Sequence, residues 1–248
     1  MKLTTKITVA CVALVAASGA FAQKAGDNIL SVGLASISPD VSLGKTTSTS
    51  SDAYTAAAFN TSLTNASASV GSTTTMSVSW LHMYTDNIGA EVTLGIPPEF
   101  TQDLNTPNGA AKTHPAAAKM KILTPAVVAK YFFGTAKDQW RPYLGLGVTH
   151  VSFQNVEVNK ADPTVNALAG TSARFSSSWA PVYNAGLLYN IDEKWSISGS
   201  VAYMPIKTNV TFSGPGSASF PNGAVPVTTT GEAKLNTTDY VVRVGYRF

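Results

Sequence analysis

The sequence predicts an all-β protein, an eight-stranded antiparallel up-and-down transmembrane β-barrel. Three observations carry the prediction. The final stretch sets Tyr240, Val242, Val244, Tyr246 and Phe248 on one face and Val241, Arg243, Gly245 and Arg247 on the other, which is the period-two pattern of a strand. Two arginines opposite an apolar and aromatic face suit a wall that meets lipid outside and lines a lumen inside. Charged residues make up only 12% of the chain, against about 25% in ordinary soluble domains. No later segment reads as a transmembrane helix, so strands must do the crossing.

The first residues read as a signal peptide. Lys2 and Lys6 form a positive start, Ile7 to Ala17 an apolar core, and Ala20-Phe21-Ala22 a cleavage site before Gln23. That core is shorter than the roughly 20 residues a spanning helix needs. Residues 1–22 are therefore expected to be removed, leaving 23–248 as one barrel domain. The single cysteine, Cys11, lies in the removed part, so pairing and packing must stabilise the remainder. Formal charge is +3, and losing Lys2 and Lys6 leaves +1. No strongly basic face argues for nucleic acid.

The strands follow in order. Asn28 to Ser38 is the first, with Leu30, Val32 and Leu34 on one face, and Pro39 is expected to end it. A Ser/Thr/Ala-rich stretch to about Thr74 reads as a long loop. Met76 to Tyr84 is the second strand, and Thr85-Asp86-Asn87 a tight turn. Ile88 to Ile96 returns as the third, alternating Ile88, Ala90, Val92, Leu94 and Ile96 with Gly89, Glu91, Thr93 and Gly95. Pro97-Pro98 stops it, and a second long loop reaches about Ile122. Leu123 to Phe133 is the fourth strand, with Pro125 near its start, and Gly134 to Gln139 is a short connection to the fifth, Trp140 to about Phe153. After a third long loop come Trp179 to Asn190, the turn Asp192-Glu193-Lys194, and Trp195 to about Lys207. A Gly/Pro/Thr-rich loop precedes the final strand. Alternating short turns and long loops place the turns in the periplasm and the loops outside. Trp140, Tyr189, Trp195, Tyr246 and Phe248 then gather at the short-turn rim as an interfacial belt.

Several stretches resemble the outer membrane protein W family. They are Ala25-Gly26-Asp27-Asn28-Ile29-Leu30 with Gly33 to Pro39, the hairpin Tyr84 to Glu91, and Leu123-Thr124-Pro125 before Tyr131-Phe132-Phe133. Arg141-Pro142-Tyr143-Leu144-Gly145-Leu146-Gly147, Ser178-Trp179 and the terminal Gly245-Tyr246-Arg247-Phe248 complete the set. The chain departs from the family pattern with Leu-Thr-Pro in place of Leu-Pro-Pro, and in the length and composition of its first two loops. The resemblance implies a small barrel in the bacterial outer membrane, with an apolar pocket that passes small hydrophobic molecules across the lipopolysaccharide layer. It also implies a part in stress and osmotic responses. An aromatic carboxy-terminus is similar to the assembly signal of such barrels, which makes the barrel-assembly machinery, through Tyr246 and Phe248, an expected partner beside lipid and lipopolysaccharide.

Eight strands enclose room for side chains or one small ligand, so the contents of the lumen decide its use. Toward the short turns, inward parity selects Glu91, Lys130 and Arg247, expected to form a polar plug. A structural ion pair would satisfy the same pattern. Toward the long loops it selects Ile37, Val151, Phe153, Val182, Met204 and Ile206, an apolar lining that suits a hydrophobic ligand and equally suits plain core packing. Pro97, Pro98 and Pro125 flank the third and fourth strands, and each lacks a ladder donor. Pairing is expected to weaken there and open a lateral exit into lipid.

Catalysis is not expected. His82 shares the lipid-facing parity near the aromatic rim, His114 sits in a loop without a nearby partner in sequence, and His150 lies in the fifth strand. No nucleophile elbow, metal-spaced cluster or phosphate loop appears, so neither metal nor cofactor is implied. The rival reading is an anchor, adhesin or receptor whose barrel only displays its loops. Those loops carry few of the aromatic anchors that tight protein interfaces use.

Overall fold

The computed structural model describes residues 23–248, and the expected signal peptide lies outside them. The elements in chain order are β1 (Asn28–Ser50), α1 (Ala53–Ser62), β2 (Ser67–Val70), β3 (Thr73–Met83), β4 (Ile88–Gly95), β5 (Glu99–Asn105) and β6 (Thr113–Leu123). They continue as β7 (Ala126–Phe132), β8 (Trp140–Val158), α2 (Pro163–Ala169), β9 (Ser172–Phe175), β10 (Ser178–Asn190), β11 (Trp195–Gly214) and β12 (Val227–Arg247).

Eight of these strands close a ring. β1 pairs with β3, β3 with β4, β4 with β7 and β7 with β8. β8 then pairs with β10, β10 with β11, β11 with β12, and β12 returns to β1. Every pairing is antiparallel, and all but the closing β12–β1 pair join barrel strands that follow one another in chain order, so the barrel is up-and-down. Closure matters because an unpaired backbone group in hydrocarbon costs several kcal/mol.

Alternation in sequence becomes alternation of environment. Leu34, Leu94, Leu146 and Val242 point outward and stay 55–65% exposed, whereas Ala35, Val128, Val182 and Val241 point inward and are buried. At the short-turn end, the Trp140 and Tyr189 rings lie 4.4 Å apart and those of Trp195 and Tyr246 5.0 Å apart. Phe248 stands beside them, exposed. Near the opposite margin of the apolar band, Trp179 meets His150 at 5.0 Å. Tight turns are set by carboxylates: Asp192 accepts the Lys194 and Trp195 N–H groups at 2.7 Å each. Gly134, at φ +84°, turns the chain out of β7 in a conformation that side chains resist.

Three expectations about the loops are overturned. Pro39 does not end the first strand: β1 runs on to Ser50, with Pro39 opposite Thr237. The β1–β3 ladder stops at Ile37 opposite Thr73, so Pro39 lies where one flank of the strand has lost its partner. A missing N–H is tolerated at such an edge. The expected second loop is a hairpin, β5 against β6, and β6 continues onto β8. The first and third expected loops contain α1 with β2 and α2 with β9. β1, β8, β11 and β12 are 23, 19, 20 and 21 residues long, about twice the 9–11 residues a membrane strand needs. Their distal halves therefore stand clear of the lipid. There the outer face carries Thr230, Lys234 and Asn236 rather than an apolar stripe, which removes the periodic signal by which strands are recognised.

Candidate functional site: a luminal passage

The lumen changes character along its axis. Near the short-turn end Glu91, on β4, receives Lys130 from β7 at 2.8 Å and Arg243 from β12 at 3.5 Å. All three are buried. Ser77 accepts the Arg243 Nε–H at 3.2 Å, and the Lys130 ammonium also lies 4.5 Å from the Tyr143 ring centre. One carboxylate between two cations leaves no charge isolated, the condition under which buried ions persist. An apolar cluster of Ile29, Leu81, Met83, Phe132, Tyr143 and Leu188 packs beside them.

Arg247 belongs elsewhere. Its guanidinium meets Asp27 at 3.3 Å and the Asn190 side-chain oxygen at 3.4 Å. Glu91, Leu81, Ile29 and Arg247 occupy one cross-strand row. Barrel strands are tilted, so such a row changes height from strand to strand. Counting residues from the turns missed that slant. Arg243, not Arg247, reaches Glu91. Arg141, fully buried, donates to the Gln23 and Asp86 carbonyls at 2.9 and 2.6 Å and so ties the start of the domain across the same end.

The six apolar residues of the other half come together. Val151, Val182, Met204 and Ile206 are members of one buried cluster with Phe100, Met120, Ile122 and Leu235, and Ile37 and Phe153 pack against it. This collar separates two cavities of about 90 Å³ each. The distal one is bounded by Leu43, Leu104, Leu168, Phe175 and Phe212, the proximal one by Ile37, Glu91, Asp239 and Arg243. A smaller space of about 20 Å³, between Phe100, Ile122, Met204, Ile206 and Leu235, lies between them. Phe100 and Met120 were missed because their hairpin reads as loop, although Phe100, Gln102 and Leu104 do alternate.

The prolines sit at a break in the barrel wall. The β4–β7 ladder ends at Thr93 opposite Ala126, and pairing resumes only at Glu99 opposite Lys121. One hydrogen bond, from Ile122 N–H to the Pro98 carbonyl at 3.3 Å, crosses the interval. Gly95, Ile96, Pro97, Pro98, Thr124 and Ala126 border the proximal cavity at this break. Pro125, against expectation, does not contribute to the break: its carbonyl faces β8, accepting from His150 N–H at 3.1 Å and the Thr149 hydroxyl at 2.9 Å, so its missing N–H falls on the β8 side as well. Outside, Leu94 and Ile96 are exposed, which puts the break within the apolar band.

At the distal end a second apolar cluster, with Phe59, Leu63, Val165, Leu168 and Val227, roofs the upper cavity. His114 is fully buried there. Its Nδ1 lies 2.8 Å from the Asp162 carboxylate and its Nε2 3.0 Å from the Thr106 hydroxyl. Asp162 also caps α2 by accepting the Thr164 and Val165 N–H groups at 2.9 and 3.0 Å. Burial raises its carboxyl pKa, but those amides and His114 outweigh it and hold the group below its ordinary value. His82 lies between Trp80 and Tyr84 at the rim, its ring 3.0 Å from the Asn28 side-chain oxygen.

A closed antiparallel ring, apolar outside and charged within, defines a β-barrel of the bacterial outer membrane. Residues 24–248 match the OmpW family, and the chain belongs to it. Outer membrane protein W of Vibrio cholerae is 27% identical over 240 residues, covering 96% of either chain. Outer membrane protein AlkL of Ectopseudomonas oleovorans is 26% identical, over 74% of this chain and 69% of its own. The crystal structure of OprG from Pseudomonas aeruginosa superposes with a TM-score of 0.73 at 22% identity, covering 92% of this chain and 99% of that one.

Proposed function

We propose that the protein is an outer-membrane channel for small hydrophobic molecules. Solutes enter at the long-loop end, which faces outward, pass the apolar collar, and leave sideways into the membrane between β4 and β7. The observation that carries the reading is the position of the proximal cavity, which has the Glu91, Lys130 and Arg243 charges on one side and the broken ladder on another. An apolar solute gains nothing by crossing buried charges, whereas a wall without ladder bonds opens toward lipid. The polar group thus acts as a floor, and Pro97 and Pro98 keep the side exit unpaired. Lipopolysaccharide surrounds the projecting strands, and the Tyr246 and Phe248 terminus serves recognition by the assembly machinery.

Uptake by liposomes carrying the purified barrel tests this. A radiolabelled alkane should enter faster than into protein-free vesicles, while sodium or chloride should not. Equal alkane uptake with and without protein would refute the channel and favour a barrel that only anchors its loops.

A further inference from the structure

Apolar walls do not account for one group in the passage. Asp239, on β12, borders both the proximal cavity and the small space beneath the collar. Its Oδ1 is buried without a hydrogen-bond partner. Among the described residues no ion pair reaches it, because the nearby Arg243 is engaged by Ser77 and Glu91. Arg243 also lies four residues along the strand, about 13 Å away at strand spacing.

Asp239 is not alone. Asn184 pairs in register with Ala202, and Ala202 with Asp239. The amide and the carboxylate thus flank a residue with only a methyl side chain, their backbones about 10 Å apart across two strand spacings. Asn184 gives its Nδ2–H to the Val201 carbonyl at 3.0 Å and leaves Oδ1 buried and unpaired. Thr237, one inward position above Asp239, also has a buried, unpartnered hydroxyl oxygen. Buried polar atoms are ordinarily paired, and each exception calls for a cause. Here three converge on one stretch of lumen, and the Asn184 oxygen can only accept.

We infer that this row is a binding site for the donor-bearing end of an amphipathic solute, above all a small aliphatic primary amine. An ammonium group offers three donors and no acceptor, which complements the Asp239 carboxylate, the Asn184 carbonyl and the Thr237 hydroxyl. The cavity over Ala202 holds the head, and the collar residues Met204 and Ile206 hold the alkyl tail. An alcohol, with a single donor, binds in the same place more weakly. The inference rests on the lumen being the passage proposed above and narrows the class of solute it selects.

The test uses the full barrel in lipid nanodiscs, titrated with hexylammonium, 1-hexanol and n-heptane and followed through the Asn184 side-chain amide signal. Hexylammonium should bind at least about tenfold more tightly than heptane, the range of a hydrogen bond to a charged group. Asp239→Asn should abolish most of that preference, and Asp239→Leu should reverse it. Asn184→Ala should weaken the amine without touching heptane; since that variant lacks the reporter amide, backbone signals of Ala202 are read instead. Retained signal dispersion in each variant checks folding. Heptane binding with no amine preference, or a preference that survives both Asp239 variants, would overturn the inference while leaving the channel standing. Amine binding without heptane binding would support the site and count against a hydrocarbon passage. If neither ligand binds, both readings fall.

Discussion

Glu91 and Lys130 meet at 2.8 Å although they are not opposite one another: Glu91 faces Val128 and Lys130 faces Gly89 across the β4–β7 ladder. The long lysine stem spans the diagonal, and the carboxylate keeps its second oxygen for Arg243. The pair therefore works as part of a triad. Lys130→Met should destabilise the barrel by about 2 kcal/mol, less than the 3–5 of a lone buried pair, because Arg243 still compensates Glu91. Glu91→Gln leaves two cations without their anion and should cost the full amount. Urea unfolding in lipid vesicles measures both.

The proposed exit between β4 and β7 should respond to chemistry at the break. Pro98→Val restores a ladder donor at the break, where the Pro98 carbonyl already accepts from Ile122 N–H, and a disulfide joining the two strands prevents their parting. Each should lower alkane uptake by liposomes several-fold, and the proline replacement should change stability by no more than about 1 kcal/mol. For the disulfide, added reductant should restore uptake. Unchanged uptake in both would place the exit elsewhere.

The collar should set the rate. Ile206, almost fully buried, borders the narrow space between the two larger cavities. Ile206→Trp should fill that space and suppress uptake while the folded barrel persists. Ile206→Ala should speed uptake and cost about 2–5 kcal/mol through the enlarged cavity. Opposite signs on transport, from changes at one residue, would distinguish a conduit from a packed core.

The cap on α2 carries a pH dependence. The Asp162 carboxyl is held below its ordinary 3.8, so its contribution is fully present above that value and is lost as pH falls through the lowered one. Protection of the Thr164 and Val165 amides, exchange measured against the intrinsic rate at each pH, should be high at neutral pH and be lost only in strong acid. Asp162→Ala removes the acceptor, so it should lower that protection at neutral pH and leave little further change on acidification. Equal exchange in both proteins at neutral pH would remove Asp162 from the cap.

The barrel was legible wherever lipid and lumen impose opposite demands on successive residues. Leu30, Val32 and Leu34, or Ile88 through Ile96, could be assigned inward and outward faces residue by residue, and both faces are where alternation puts them. Above the lipid that contrast disappears. The distal half of β12 alternates Thr230 and Lys234 outward with Thr229 and Ala233 inward, a pattern close to that of a polar loop. The luminal residues were legible as a set because parity selects them. Their partners were not, since heights depend on strand tilt: Arg243 and Arg247 share one face of one strand, and only one reaches Glu91. Asp239 escaped notice because it stands a single residue before the point where the apolar alternation begins.

Strands twice the length of a bilayer crossing have a physical meaning of their own. For the channel proposed above, they lift the mouth like a chimney, so that solutes would be gathered well beyond the hydrocarbon in which they finally dissolve. For an oily compound the slow stage of entry is the dense sugar coat, not the oil beneath it. A tall, dry shaft bypasses that stage, and its height then matters as much as its bore.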